Sequence, residues 1–345
     1  MRRTRVTSFD VARVAGVSQS TVSRALAGSE TITAATRQRV EAAAAQLAYQ
    51  PDARAARLRS GKTGTLAIVV IGREGQEPTR VSAFHYALLG STCAAAAERG
   101  YQSLVSFQSE PRQLNWSFVA QGQADGLIVM GTSVNRAAWS DLRSTTPEGP
   151  LALWGAPFDD GPWVRADNAA GAHLAVDRLV AAGHRRIAFL GSVDPIYPQF
   201  CERYAAYKDA LARHGLAAQS PVDVVGDDRS AGGQIATAQL LAGPEPPDAI
   251  FAANDAIALG AIAALAQSEL RIPDDFGVVG FDGLAAGEHV SPPLTTIEPD
   301  FAEAGRALVR SICDDNGAQL ARRVPVRLID RRSVRAPLSK DPTGS

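Results

Sequence analysis

Apolar positions are spaced differently on the two sides of residue 65. Residues 7–48 carry them at helical spacing, which predicts three short helices. In the second of these helices, Val22 and Leu26 lie four residues apart and share a face. The third helix carries a stripe with the spacing of a buried face, at Thr36, Val40, Ala43, Ala44 and Leu47. Three helices of this size are sufficient to bury one small core.

Capping and turn residues separate these helices. Thr7 and Ser8 are suited to begin the first helix, and Gly16 is suited to end it in a tight turn. Ser18 is placed to cap the second helix and Thr33 the third. The first two helices and the turn between them therefore form a predicted helix-turn-helix.

The second helix has an unusual polar face. Residues 18–24 read Ser-Gln-Ser-Thr-Val-Ser-Arg, whereas a solvated face normally carries Glu and Lys. Short hydroxyl groups near a helix N-terminus allow close approach to phosphate, and Gln and Arg match base edges in the major groove. An ordinary small helical bundle is the alternative, but this polar pattern favours DNA binding.

The segment 51–58 has a separate pattern. It begins with Pro51, which is favoured at the first position of a helix, and continues with alanines. A helix of about eight residues is shorter than the roughly 12 needed for stability in isolation. We expect it to fold only on a partner, and a plain linker is the alternative.

From residue 65 onward, apolar runs alternate with helical stretches. The runs at 66–71, 126–130, 186–190, 249–253 and 277–281 predict buried parallel strands of a two-lobed α/β domain. Such sheets bind ligands at the carboxyl ends of their strands. Polar side chains near such ends are Asp167, Asn168, Asn254, Asp255 and Asp282. We interpret the first two mainly as structural.

Charge supports a division of the chain by function. Residues 1–62 contain 11 Lys and Arg against 4 Asp and Glu, whereas the remainder contains 24 against 32. The overall net charge of −1 is therefore a cancellation. A basic end attached to an acidic body is expected when one end meets the phosphates of nucleic acid. The length of 345 residues also indicates two or three folding units.

Other functional classes lack their motifs. The N-terminus has arginines but no apolar stretch behind them, and the apolar run at 256–266 is too short to span a bilayer, so we expect a cytoplasmic protein. No nucleotide-binding glycine motif or nucleophile motif is present, so neither an enzyme nor a cofactor is predicted. Without CxxC or paired-histidine spacing, no metal site is predicted. The cysteines, expected to be buried free thiols, are Cys93, Cys201 and Cys313.

Several strings in order resemble the LacI/GalR family of bacterial transcription regulators. These are DVARVAGVSQSTVSRALAG, the linker ending in RSGKTGTLAIVV, ANDAIALGAIAAL, VVGFDG and PPLTTIEPD, and the resemblance extends to about residue 335. It implies a lambda-repressor-like helix-turn-helix headpiece at 1–50 and a hinge helix with linker at 51–62. A periplasmic-binding-protein-like effector and dimerisation domain would follow at 63–335, with a flexible tail at 336–345. The lobe near DNA would comprise about 63–165 and 298–325, and the distal lobe about 166–297 and 326–335.

The resemblance also implies roles in DNA binding. Gln19, Ser20 and Arg24 occupy positions that read bases. Positions near the DNA backbone are Thr7, Ser18, Thr21, Ser23, Thr36 and Tyr49. In the family, the hinge helix enters the minor groove beside its two-fold mate, and a leucine wedges between base steps. Leu58 is that leucine here, Ala55 allows the helices to approach, and Arg54 and Arg57 are placed to contact DNA.

For the effector, the resemblance implies binding by Arg203, Asn254 and Asp282. A surface salt bridge with Glu202 or Asp209 is the alternative for Arg203, and helix capping is the alternative for Asn254 and Asp255. Weaker candidates for the same site are Phe84, Tyr197, Gln199 and Trp154.

The sequence leaves the identity of the effector open. Ser82-Ala83-Phe84 keeps only one of the family's two aromatic residues, and Ala206 replaces a usual glycine. A carbohydrate or sugar phosphate is the default, and a nucleoside-like ligand or none is the alternative. We expect a homodimeric repressor on a pseudo-palindromic operator. A cytosolic sugar-binding protein or an enzyme is the alternative from another class.

Overall fold

The computed structural model describes residues 6–26, 28–49, 62–224, 226, 228–314 and 321–338. The chain divides into two compact units, Met1–Thr63 and Gly64–Ser345, which are described separately. The predicted hinge residues Arg54, Ala55, Arg57 and Leu58 lie outside the described residues, as does the predicted tail from residue 339.

The first unit contains three helices, α1 (Ser8–Ala15), α2 (Gln19–Leu26) and α3 (Ala34–Gln46). Each packs against the other two. Their shared core is made of small apolar side chains: Val11, Ala12, Ala15, Val22, Ala25, Val40, Ala43 and Ala44. The apolar spacing of the sequence is therefore the spacing of a real buried face.

Local hydrogen bonds explain where these helices begin and end. The backbone N–H of Thr7 donates to Asp10 Oδ2 at 2.9 Å, which fixes the first turn of α1. Gly16 ends that helix with a φ of 64°, a left-handed conformation that favours glycine. The N–H of Thr21 then donates to Ser18 Oγ at 3.1 Å and caps α2. The helix-turn-helix thus follows from capping residues that the sequence displays.

The second unit contains two sheets. The strands of the first are β1 (Thr65–Ile71), β2 (Gln102–Gln108), β3 (Gly126–Gly131), β4 (Leu151–Trp154), β5 (Trp163–Ala166) and β10 (Arg322–Val324). Those of the second are β6 (Ile187–Leu190), β7 (Ala249–Ala252), β8 (Gly277–Phe281), β9 (Thr295–Pro299) and β11 (Val326–Ile329). The strand orders are β10-β5-β4-β3-β1-β2 and β11-β9-β8-β7-β6. All pairings between these strands are parallel except that of β11 with β9.

Helices cover both sheets. They are α4 (Ala83–Glu98), α5 (Arg136–Thr145), α6 (Asn168–Ala181), α7 (Pro198–Arg213), α8 (Arg229–Leu241), α9 (Asp255–Leu265) and α10 (Phe301–Cys313). Short 3-10 turns occupy Pro111–Gln113 and Ala285–Glu288. In β1, Ile68 faces the core under α4 and α10, whereas Val69 faces the core that includes Trp139 of α5. This burial on both faces explains the uninterrupted apolar run of β1.

The chain passes between the two sheets three times, after Ala166, after Pro299 and after Val324. Since each sheet has its own apolar core, the second unit has two lobes. The three cysteines are free thiols, as expected, but they are half-buried, so the expectation that they are buried was wrong. Among the described residues, no helix is long and apolar enough to cross a membrane, and no cluster of His, Cys, Asp and Glu could hold a metal ion.

Candidate functional site

A cavity of about 340 Å³ lies in the second unit and is lined by residues of both lobes. The ends of β1, β3 and β4 contribute Gly72, Gly131 and Trp154 from the first lobe. The three side chains that the resemblance assigned to effector binding and the four weaker candidates all line it: Arg203, Asn254 and Asp282, and Phe84, Trp154, Tyr197 and Gln199. The cavity therefore lies where parallel strands end, as expected for a ligand site in such sheets.

Arg203, on α7, lies at the centre of a buried polar cluster. Its Nε donates to Asn168 Oδ1 at 2.9 Å, and its Nη1 donates to the carbonyl of Ala253. Nη1 lies 3.7 Å from Asp282 Oδ1, and the guanidinium carbon lies 3.5 Å from the ring centroid of Phe281. Only 4% of Arg203 is exposed, which excludes a surface salt bridge. The arginine is instead held rigidly at the cavity wall.

Burial changes the acid–base properties of this pair. It lowers the pKa of Arg203 to about 10, and the charges of Asp282, Glu202 and Asp255 act in the opposite direction. It raises the pKa of Asp282, which Arg203 opposes. Asp282 also has a φ of 122°, which side chains rarely adopt. Backbone strain and a buried carboxylate at one position are typical of a functional site.

Asn254 and Asp255 have different roles, although both follow β7. Asn254 Oδ1 accepts the N–H of Ile257 at 2.9 Å and caps α9, and Asn254 also lines the cavity. Asp255 is fully buried and does not line the cavity. It accepts the N–H of Leu284 at 2.7 Å and the hydroxyl of Thr296 at 2.5 Å. Asn254 therefore caps α9, as the capping alternative predicted. Asp255 does not cap this helix, because its carboxylate oxygens accept hydrogen bonds from Leu284 and Thr296, which lie far along the chain.

Aromatic rings form part of the cavity wall. Phe84 lies 5.9 Å from Trp154 and 5.3 Å from Phe301, measured between ring centroids. From the second lobe, Tyr197 is stacked on Phe200 at 5.5 Å. Flat apolar surfaces beside hydrogen-bonding groups suit a ligand that has both apolar faces and polar edges.

Sequence reasoning missed several lining residues. They include Arg73, Arg80, His85, Arg165, Asn168, Phe200 and Arg229. Asn168 was interpreted mainly as structural, yet it lines the cavity and orients Arg203. Burial lowers the pKa of His85 to about 4, so this imidazole is neutral at pH 7, with its Nδ1 2.8 Å from Ser82 Oγ. No sequence motif marks these residues, because the packing of distant segments places them here.

The candidate DNA-reading residues lie on α2. Arg24 is exposed, whereas Gln19 Nε2 donates to Ser8 Oγ at 3.2 Å. Ser20 Oγ lies 2.9 Å from Ser18 Oγ. Tyr49, placed near DNA by resemblance, packs against the core of the three helices. The turn of the motif therefore holds Gln19 and Ser20 at the beginning of α2, with Arg24 at its other end.

A helix-turn-helix unit and a two-lobed unit with a polar cavity define a regulator that binds DNA at one end and a small molecule at the other. Residues 9–52 match the model of the bacterial regulatory proteins of the lacI family, and residues 176–334 match a periplasmic binding protein-like domain. The chain is 32% identical over 310 residues to the ribose operon repressor of Escherichia coli (strain K12), which covers 88% of this chain and 91% of that repressor. It belongs to the lacI family of bacterial regulatory proteins.

Two solved structures extend the comparison. The Lac repressor dimer bound to operator and the anti-inducer ONPF has 29% identity and a TM-score of 0.73, over 96% of this chain and 100% of that one. A complex of the transcriptional regulator CelR with cellobiose has 28% identity and a TM-score of 0.65, over 95% and 100%. Its family membership makes this protein a transcriptional regulator and not an enzyme.

Proposed function

We propose that this protein is a transcriptional repressor that binds a pseudo-palindromic operator as a homodimer and releases it when a carbohydrate effector enters the cavity. The observation that carries the proposal is the gathering of Arg203, Asn254 and Asp282 around one cavity, in a chain that also contains a helix-turn-helix. The relatives support the two halves separately: one was solved as a dimer on its operator and another with cellobiose.

At the DNA end, Gln19, Ser20 and Arg24 read bases. The guanidinium and amide groups have the donor geometry for base edges, and the hydroxyls suit phosphate. Contacts to the backbone come from Thr7, Ser18, Thr21, Ser23, Thr36 and Tyr49. One headpiece covers a half-site only, which is why a two-fold dimer is required.

The link between the two ends is the segment 51–58. Its helix forms on DNA and enters the minor groove, with Leu58 as the apolar wedge, Ala55 at the helix pair, and Arg54 and Arg57 in contact with the DNA. Effector binding between the lobes separates the paired segments and lowers operator affinity, a coupling of about 1–3 kcal/mol.

Selection of bound sequences from random DNA by the full-length protein tests the proposal. A two-fold symmetric consensus is expected, and its affinity is then titrated with a panel of sugars. Binding without symmetry would contradict the dimeric reader. A selected operator that no sugar releases would contradict the carbohydrate switch while leaving DNA reading intact.

A further inference from the structure

The lining of the cavity has a marked excess of positive charge. Among the described lining residues, Asp282 is the single carboxylate, whereas five are arginines: Arg73, Arg80, Arg165, Arg203 and Arg229. A site that needs only hydroxyl recognition has no reason to concentrate guanidinium groups, since each carries a desolvation penalty. The excess of arginines in the lining therefore indicates a negatively charged ligand.

Two of these arginines are neutralised within the protein. Arg165 Nη1 lies 2.7 Å from Asp159 Oδ1 and 3.6 Å from Glu202 Oε1. Arg203 lies 3.7 Å from Asp282. Their charges are thus compensated before any ligand arrives.

Among the described residues, a backbone carbonyl and two aromatic rings hold Arg229 in place. It is half-buried at the first residue of α8, and its Nη1 donates to the carbonyl of Val224 at 2.6 Å. Its guanidinium carbon lies 4.6 Å from the ring centroid of Tyr197 and 5.8 Å from that of Phe200. Within the part of the chain that the structure describes, no carboxylate lies at salt-bridge distance from Arg229, and the same holds for the exposed Arg80.

Arg229 also lies near Arg203, one of the residues proposed to bind the hydroxyls of the effector. The guanidinium of Arg203 lies 5.7 Å from the Phe200 ring, so both arginines flank one aromatic side chain. A guanidinium fixed by stacking, with donors left over, is pre-organised for bidentate binding of a carboxylate or phosphate. The volume of about 340 Å³ is at the lower end of ligand cavities and fits a single sugar unit.

We propose that the effector is an anionic monosaccharide derivative, whose carboxylate or phosphate group is bound by Arg229 while Arg203, Asn254 and Asp282 bind its hydroxyls. The inference rests on the proposed function, because it specifies the ligand of the same cavity. Arg80, at the exposed side of the cavity, adds to the positive potential that attracts such a ligand.

Calorimetry with the full-length protein tests the inference. Glucose, galactose and ribose are each compared with their aldonic acid and their terminal phosphate, and inorganic phosphate is included. An anionic member is expected to bind about tenfold or more tightly than its neutral parent, and Arg229→Gln is expected to remove that advantage by weakening the anionic member about tenfold more than the parent. Arg271→Gln, an exposed arginine outside the cavity lining, is the matched control and should change neither affinity.

This series of ligands distinguishes a carboxylate from a phosphate as the group bound, and it tests the charge of the ligand separately from DNA binding. Preference for the acid or for the phosphate identifies the group that Arg229 binds. Neutral parents that bind as tightly as their anionic derivatives, an anionic ligand insensitive to Arg229→Gln, or no binding by any anionic member would each overturn the inference. Operator selection without ligand is independent of these results, so failure of DNA reading is recognised separately.

Discussion

The guanidinium of Arg203 lies 3.7 Å from the carboxylate of Asp282, and the two residues are only 4% and 8% exposed. One is on α7 and the other follows β8, so the pair joins two elements of the same lobe at the cavity wall. Each charge offsets the burial of the other. The pair is therefore sensitive to the loss of one partner more than to the loss of both.

We expect Arg203→Met to destabilise the protein by about 3–5 kcal/mol, because it leaves a buried carboxylate without its counter-charge. The double variant Arg203→Met/Asp282→Asn should recover part of that loss, since neither position of the pair then carries a charge. Urea denaturation at pH 9, above the pKa of about 8 to which burial raises Asp282 in the folded chain, measures both. Lys208→Met, exposed on the same helix, is the control and should stay within about 0.5 kcal/mol of the parent. A double variant no more stable than the single one would contradict this account.

Asp255 should make stability depend on pH. Burial raises its pKa from 3.8 to about 7. Between these values the unfolded chain has released a proton that the folded chain still holds, so the contribution of Asp255 to stability is full below pH 3.8 and is lost as pH rises to about 7. Asp255→Asn should not lose stability in this way, because an asparagine side chain has no proton to release in this pH range. Relative to the parent, it should gain up to about 1.4 kcal/mol per pH unit within the window.

Urea denaturation of both proteins at several pH values between 4 and 8 tests this expectation. Asp274→Asn is the control, because that carboxylate is exposed and lies 3.5 Å from Arg271 at the surface. Its curve should run parallel to that of the parent. Parallel curves for Asp255→Asn as well would show that the buried carboxylate has no shifted pKa.

The sequence predicts the elements that local physics determines. Ser18 caps α2, Gly16 ends α1, and the apolar run of β1 is buried on both faces. Each of these features depends on residues that are close together in the sequence, so the sequence alone predicts it. The edge strand β2 was missed because most of its positions are only half-buried or exposed, without the two-residue alternation of a strand, and four-residue β4 is too short for a clear pattern. The antiparallel β11 depends on pairing with β9 and has no local signal.

The cavity was less predictable than the fold. Arg203 was identified by resemblance, whereas Arg229 carries no motif and reaches the cavity because Tyr197, more than 30 residues earlier in the chain, packs against it. Asp255 was misinterpreted for the same reason, since its partners Leu284 and Thr296 come from distant segments. Contacts of this kind are set by tertiary packing.

Arg24→Ala should change DNA preference at one base position. If this arginine binds a guanine edge, its loss costs about 1–3 kcal/mol there and relaxes selectivity at that position alone. Thr36→Val, which removes a proposed phosphate contact, should instead weaken binding by about 1 kcal/mol on every sequence. Binding to the selected operator altered base by base measures both variants. A uniform loss for Arg24→Ala would remove it from the base-reading set.

Close packing of α8 against α9 should position Arg229. A Cβ added at Gly260 of α9 would lie 2.0 Å from the carbonyl oxygen of Ser230, the residue after Arg229. Gly260→Ala therefore has to push the first turn of α8 away, at a cost of about 1–3 kcal/mol, and should weaken ligand binding as Arg229→Gln does. Urea denaturation and calorimetry measure the two effects.

Gly90→Ala is the matched control for this packing. In the interior of α4, a Cβ at Gly90 meets no described atom within 4 Å. Because alanine favours a helix over glycine by about 0.8–1.0 kcal/mol, this variant should be slightly more stable than the parent and bind ligand unchanged. If Gly260→Ala were as stable as Gly90→Ala and bound ligand normally, α8 could move without consequence. The position of Arg229 would then not depend on this contact.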